Sequence, residues 1–178
     1  MGIEQICAEN ERLLIHGLKD EDLDILTAMR KDLRIYRYEP TFLAELQGTP
    51  PEAMRALQSM DLLKDRQCIL GVYEKTDPGV LAGLAELYDY KPSGKVISLG
   101  YRLRPEYWGR GIGSCCVGLL LDYIQNNTEV ELITAHVIPE NKASSQILLK
   151  NGFQYLVTKT EDWGYDTQTL AEVYTFDV

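Results

Sequence analysis

Gly109, Gly111 and Gly113 alternate through the run R-L-R-P-E-Y-W-G-R-G-I-G-S, Arg102 to Ser114, between an apolar strand pattern and a helical one. Glycines let a backbone turn tightly and meet a ligand without a Cβ in the way, and a following helix offers unpaired amide N–H groups. That combination holds anions, phosphates above all. Arg102, Arg104 and Arg110 stand against one acid, Glu106, so the local charge is positive. A second chemical feature is Glu86 in V-L-A-G-L-A-E-L-Y, a strand apolar on both faces. An acid there is either partly buried, with a raised pKa that suits a proton acceptor, or sits near the strand's wet end. Tyr88, Asp89 and Tyr90 follow as pocket-rim candidates. A third is Cys115 and Cys116 near a helix N-terminus with His136 on a later strand. These could form a thiol acyl-enzyme, or pack a helix face as inert thiols.

The glycine run fails two nucleotide patterns. A triphosphate loop requires a lysine after its last glycine, and Gly113 is followed by Ser114. The dinucleotide fingerprint has a strand before it and Glu140 as a ribose acid, but Pro105-Glu106-Tyr107-Trp108 intrudes where a tight turn is required, and Cys116 replaces the third glycine.

The elements that must position these groups follow from periodicity. Glu11 to His16 reads as a strand, Lys19 to Lys31 as a helix, and Pro40 to Leu46 and Pro51 to Leu63 as two helices of an irregular arm that walls a pocket. Gln67 to Glu74 and Val80 to Tyr88 form a hairpin through a Lys75–Gly79 turn, and Val96 to Arg104 adds a strand after a second turn at 91–95. That strand places Ile97, Leu99, Tyr101 and Leu103 on one face and Arg102 and Arg104 on the other. Ile112 to Asn126 is a helix, Glu131 to Ile138 a strand, and Asn141 to Lys150 a helix stopped by Gly152. Phe153 to Thr158 and Thr169 to Phe176 are the last strands. Hairpins followed by a strand-helix-strand unit predict an α/β (α+β) fold with a mixed, mainly antiparallel sheet of about seven strands and helices on both faces.

With 178 residues, 45% of them hydrophobic, one domain spanning 1–178 is expected. The formal net charge of −9 and the absence of a Lys/Arg block argue against nucleic acid and anionic lipid as partners and favour an amine-bearing one. No basic segment with an apolar stretch opens the sequence, and no apolar run approaches bilayer length, so a cytoplasmic protein without membrane attachment is expected. Cys7, Cys68, Cys115 and Cys116 have no metal-ligand spacing, and no metal site is expected.

The run P-E-Y-W-G-R-G-I-G-S resembles the acetyl-CoA signature of the GNAT N-acetyltransferases, Gln/Arg-x-x-Gly-x-Gly/Ala at a strand-loop-helix junction. Asn141-Lys142-Ala143-Ser144 running to Lys150-Asn151-Gly152-Phe153 resembles the family's second segment, N-x-x-S…K-x-G-F. Both are most similar to the branch of ribosomal-protein N-terminal acetyltransferases. The resemblance implies acetyl-CoA as co-substrate and direct transfer to a primary amine, a protein N-terminal α-amine first. A small amine (polyamine, aminoglycoside or amino-acid derivative) and a silent acyl-CoA-binding module are the alternatives. It implies coenzyme contacts from Leu103, Trp108, Gly109, Arg110, Gly111, Ile112, Gly113, Ser114 and Asn141, with the Leu103 amide holding the thioester carbonyl. Asn141 also suits an N-cap. Ser144 is implied as the group that protonates the leaving sulfur, and Glu86 is the base candidate. Two departures matter: Trp108 stands at the Gln/Arg position, and Leu148 stands where many members place an acidic tyrosine. A monomer or homodimer is expected.

Overall fold

The computed structural model describes residues 7–40, 48–164 and 167–178. Their strands form an eight-stranded sheet, β1-β2-β3-β4-β5-β6-β8-β7 in spatial order. The strands are β1 (Ala8–Glu9), β2 (Leu13–His16), β3 (Cys68–Glu74), β4 (Leu81–Lys91), β5 (Val96–Leu103), β6 (Leu132–Val137), β7 (Gln154–Asp162) and β8 (Gln168–Asp177). All neighbours pair antiparallel except β5 with β6. The strand beyond the expected seven is the two-residue β1.

The helices are α1 (Leu23–Met29), α2 (Leu33–Tyr36), α3 (Pro50–Ser59), α4 (Leu62–Asp65), α5 (Ile112–Asn127) and α6 (Lys142–Lys150). Long α5 and α6 cover one sheet face, where Leu87, Leu99, Leu120, Ile133 and Leu148 share a core. On the opposite face α1 and α3 bury Leu26, Met29, Met54 and Leu57 against Ile69, Tyr73 and Leu84.

The expected helix over 51–63 is divided in two. Met60 takes an extended conformation, and the Asp61 carboxylate accepts from the amides of Leu63 and Lys64, so a fresh cap starts α4. The expected helix over 19–31 begins as a 3-10 turn at Asp20–Asp22 before α1. Residues 41–47, nearly all of the helix expected at 40–46, lie outside the described residues. Of the described helices, none is long and apolar enough to cross a membrane.

What positions the site is the parting of β5 from β6. Their parallel register runs Val96↔Leu132, Ile97↔Ile133, Ser98↔Thr134 and then stops. Beyond it β5 stays with β4, as far as Gly83↔Leu103, while β6 stays with β8, as far as Val137↔Glu172. Two strands that separate inside a sheet leave a wedge with unpaired backbone groups along both walls.

Candidate active site

Two clefts open on the wedge. The first, about 700 Å³, is lined by the loop after β5, the first turn of α5 and the start of α6. Leu103, Trp108, Gly109, Gly111, Ile112, Gly113, Ser114, Asn141 and Ser144 all border it. These are the sequence-designated loop residues without Arg110. The second cleft, also about 700 Å³, holds Glu86, Tyr88 and Asp89 from β4 together with residues at the far end of β7. Tyr90 is not in either. Glu39, Arg102 and His136 border both clefts, which therefore meet at those three side chains.

The three glycines have different parts. Gly109 and Gly111 take φ of +70° and +76°, in the left-handed region that glycine occupies without strain. Gly113 has no such angle. It lies inside the first turn of α5, where its missing side chain admits the Tyr101 ring and Ile147. No side chain of the described residues caps α5, so the amides of Ile112, Gly113 and Ser114 remain as donors beside the cleft.

The arginines do not provide the positive charge that the sequence suggests. Arg110 turns to Glu74, at 2.6 Å, and its guanidinium lies over the Tyr107 ring. Arg12, from β2's leading turn, joins the same Glu74 and donates to the Arg110 carbonyl. Arg104 donates to the Leu81 carbonyl. Arg102 donates to Glu86 at 2.7 Å and to Glu39 at 3.2 Å. An anion at the loop is thus met by backbone amides and the helix terminus, with Lys142 and Lys150 on the opposite wall.

Leu103 ends β5 with its amide facing the wedge. The Arg104 amide donates to the Ala82 carbonyl, so alternation turns the Leu103 N–H the other way, where β6 has already left. The Leu103 carbonyl accepts from the indole Nε1 of Trp108 at 2.9 Å. Trp108 therefore ties the loop to the strand end.

At the start of α6 the Asn141 carboxamide oxygen accepts from the Ser144 amide, an N-cap. The Tyr101 hydroxyl donates to Ser144 Oγ at 3.3 Å. Burial pushes the Tyr101 phenol up to about 12, so it stays protonated. Leu148 is buried in the core and touches neither cleft.

Around the junction, burial drives the Glu39 carboxyl upward, and the nearby Glu86 charge adds to the rise while Arg102 opposes it. Burial disfavours the Arg102 charge, but Glu39 and Glu86 outweigh it and keep the guanidinium protonated. Glu86, the sequence's base candidate, is held by that guanidinium. The second cleft carries five carboxylates, on Glu39, Glu86, Asp89, Glu161 and Asp162, against Arg102 and Lys159. Its field is negative.

His136 Nδ1 lies 2.8 Å from Glu161 Oε2, and Trp163 Nε1 donates to the same carboxylate. The pairing of Cys115 or Cys116 with His136 is absent. Cys116 is buried, its thiol pushed up to about 12, and Cys115 accepts a bond from the Asn10 amide. Sequence reasoning missed Glu39, Tyr101, Glu161 and Trp163 as site residues. None of them lies in a local motif.

Residues 12–154 match the family model described as an acetyltransferase (GNAT) domain. The chain is 25% identical over 147 residues, 82% of this chain and 81% of the other, to the uncharacterized N-acetyltransferase YoaA of Bacillus subtilis (strain 168). The fold superposes on a putative ribosomal-protein-serine acetyltransferase from Vibrio cholerae with a TM-score of 0.78, at 16% identity and covering 100% of both chains. It also superposes on a spermidine N-acetyltransferase from Vibrio cholerae, in complex with CoA and spermine, with a TM-score of 0.75 at 18% identity, over 94% of this chain and 96% of that one.

Proposed function

The chain belongs to the GNAT family of acetyl-CoA-dependent N-acetyltransferases, and we propose that it acetylates a protein N-terminal α-amine. The observation that carries this reading is the meeting of the two clefts at Glu39, Arg102 and His136. One cleft has the features an acetyl-CoA pyrophosphate requires, and the other is acidic, as an ammonium-bearing acceptor requires.

The fit of acetyl-CoA rests on the uncapped first turn of α5 and on the left-handed glycines that bring the loop backbone to the cleft. In this reading the amides of Arg110, Gly111, Ile112, Gly113 and Ser114 hold the pyrophosphate, and Trp108 and Gly109 shape the loop. Asn141 borders the pantetheine arm. The Leu103 amide holds the thioester carbonyl oxygen, which gains charge as the amine attacks. Ser144, with its hydroxyl already accepting from Tyr101, delivers a proton to the leaving sulfur.

Glu86 takes a part different from the proton acceptor first assigned to it. Its carboxylate is tied to Arg102, so it adds to the field that draws the ammonium and aligns the Arg102 side chain between the clefts. An α-ammonium, with a pKa near 8, gives up its proton more readily than a lysine at about 10.4. That favours the α-amine acceptor. The five carboxylates of the acceptor cleft favour a second reading, a small polycationic amine, which also agrees with the likeness to the spermidine enzyme.

Incubation with acetyl-CoA, octapeptides starting with serine or alanine, spermidine and spermine, read by mass, tests the assignment. Acetylation of the peptides at the α-amine is expected. Modification of spermidine or spermine alone would replace it with the polyamine reading.

A further inference from the structure

His136 is on β6 immediately past the point where β5 leaves, and its side chain borders both clefts. Glu161, near the hairpin end of β7, reaches back to it across β8. Its Oε1 and Oε2 lie 3.0 and 2.8 Å from Nδ1. The carboxylate is also fixed by Trp163 Nε1 at 3.1 Å and Lys159 Nζ at 3.1 Å. Burial works against its charge, but the bonds from Trp163, His136 and Lys159 outweigh burial and hold its pKa below the ordinary carboxylate value. A carboxylate that stays ionised accepts only, so Nδ1 must carry the hydrogen. The neutral ring is thereby the tautomer whose lone pair is on Nε2, and Nε2 has no hydrogen-bond partner among the described residues. Such an oriented imidazole is the arrangement that makes histidine a base near neutral pH.

We propose that His136 Nε2 is the general base of the transfer and that Glu161 is its positioning residue. The proposal rests on the acetyltransferase reading of the two clefts. An acceptor that arrives as ammonium first loses one proton to solvent. As the neutral nitrogen bonds the thioester carbon, the carbonyl electron pair moves to the oxygen beside the Leu103 amide, and Nε2 takes the second amine proton. Return of that electron pair breaks the carbon–sulfur bond. The thiolate takes a proton from Ser144, which is restored by the proton on His136 through solvent. The products are the amide and the free thiol, and the first proton of the ammonium is left in solvent. Glu86 and Glu39 are less suited to this part, because both already accept from Arg102.

The groups that bear on the ring come from every neighbouring element. Tyr88 of β4 lies with its ring centroid 6.4 Å away, and Glu86 follows it in the same cleft. Arg102 comes from β5, Lys159 and Glu161 from β7, and Glu39 from the segment after α2.

His16 and His136 are the two histidines of the chain, so imidazole-labelled NMR with His136→Gln as the assignment control reads the tautomer directly. The Nδ1–H form is expected in the wild type, and Glu161→Gln, whose carboxamide can donate as well as accept, should convert it to a mixture. An Nε2–H ring in the wild type would overturn the proposal without any acceptor. Kinetics use acetyl-CoA with a serine-starting octapeptide and, separately, spermidine. His136→Gln should reduce kcat by roughly 100-fold or more and flatten the low-pH limb of the rate, with acetyl-CoA affinity by calorimetry unchanged. Glu161→Gln should reduce kcat about tenfold. Wild-type kcat and an unshifted limb in His136→Gln would also overturn it. If the wild type turns over neither amine, the acceptor reading falls on its own, and the tautomer still decides for or against the oriented base.

Discussion

Gly113 lies so close to the Tyr101 ring that a β-carbon at that position would stand 2.9 Å from it, and 3.0 Å from Ile147 Cδ1 on α6. Helix α5 is therefore seated against β5 and α6 through a glycine, and the same contact sets the phenol that reaches Ser144. Gly113→Ala should overpack this junction and destabilise the chain by about 1–3 kcal/mol. Gly109→Ala meets open space and has only its left-handed angle to contend with, about 1–2 kcal/mol. Urea unfolding with acetyl-CoA titration separates them. Gly113→Ala should weaken coenzyme binding along with stability, and equal coenzyme affinity in both variants would show that the seating of α5 does not govern the site.

The carboxylates around Arg102 give a kinetic prediction. Glu86→Gln keeps the shape of the side chain but leaves the mostly buried guanidinium with Glu39 as its remaining charged partner of that pair. A stability loss of about 1–3 kcal/mol is expected. With spermidine or a serine-starting octapeptide, KM for the amine should rise several-fold while kcat changes little, because a charge has left the acceptor cleft. A lost kcat at unchanged KM would return the proton-accepting part to Glu86.

How far the sequence reaches can be seen from these residues. The glycine loop, the Asn141 cap and the alternating face of β5 are local, set by backbone angles and side-chain period, and their positions follow from the chain text. Glu39 meets Arg102 across 63 residues, through an irregular segment with no periodicity to orient it. Glu161 was beyond the strand expected to end at Thr158, because T-K-T-E-D shows no apolar alternation and β7 is an exposed edge held by pairing with β8. His136 was legible as a strand residue, but its partner depends on the order β6-β8-β7, which no local pattern specifies. The arginines misled for a related reason: clustering in sequence said nothing of Glu74, Glu86 and Glu39, which come from other elements to neutralise them.

Acid should weaken the attachment of α6. Glu172 on β8 accepts from the Tyr174 hydroxyl at 2.7 Å, Ser145 Oγ at 3.0 Å and Lys142 Nζ at 3.3 Å. The bond from Tyr174 chiefly, with those from Ser145 and Lys142, lowers its pKa from the ordinary 4.5 against the opposing effect of burial. A carboxyl whose folded pKa is depressed stabilises the fold above its unfolded value and loses that contribution as pH falls through the folded one. Glu172→Gln should therefore lower Tm by ~2–4 °C at pH 7, with the gap to wild type closing below pH 4.5. A gap that is constant down to pH 3 would mean that the carboxylate's charge contributes nothing.

Trp108 is one of the two departures from the family pattern. Its indole donates inward to the Leu103 carbonyl, and the residue remains 44% exposed, so little core burial depends on it. Trp108→Phe keeps most of the ring and removes the donor. The bond it deletes contributes about 1 kcal/mol, and the deletion acts where the loop meets the strand whose amide faces the wedge. Acetyl-CoA affinity should consequently fall by roughly three- to tenfold, with Tm lowered by about 2–4 °C. The loss should be larger for acetyl-CoA than for the nucleotide fragment 3′,5′-ADP, which lacks the pantetheine arm and has no carbonyl to place against Leu103. Equal losses for the two ligands would assign Trp108 to the phosphate end of the site, and unaltered binding of both would mean that the loop holds its conformation without the indole bond.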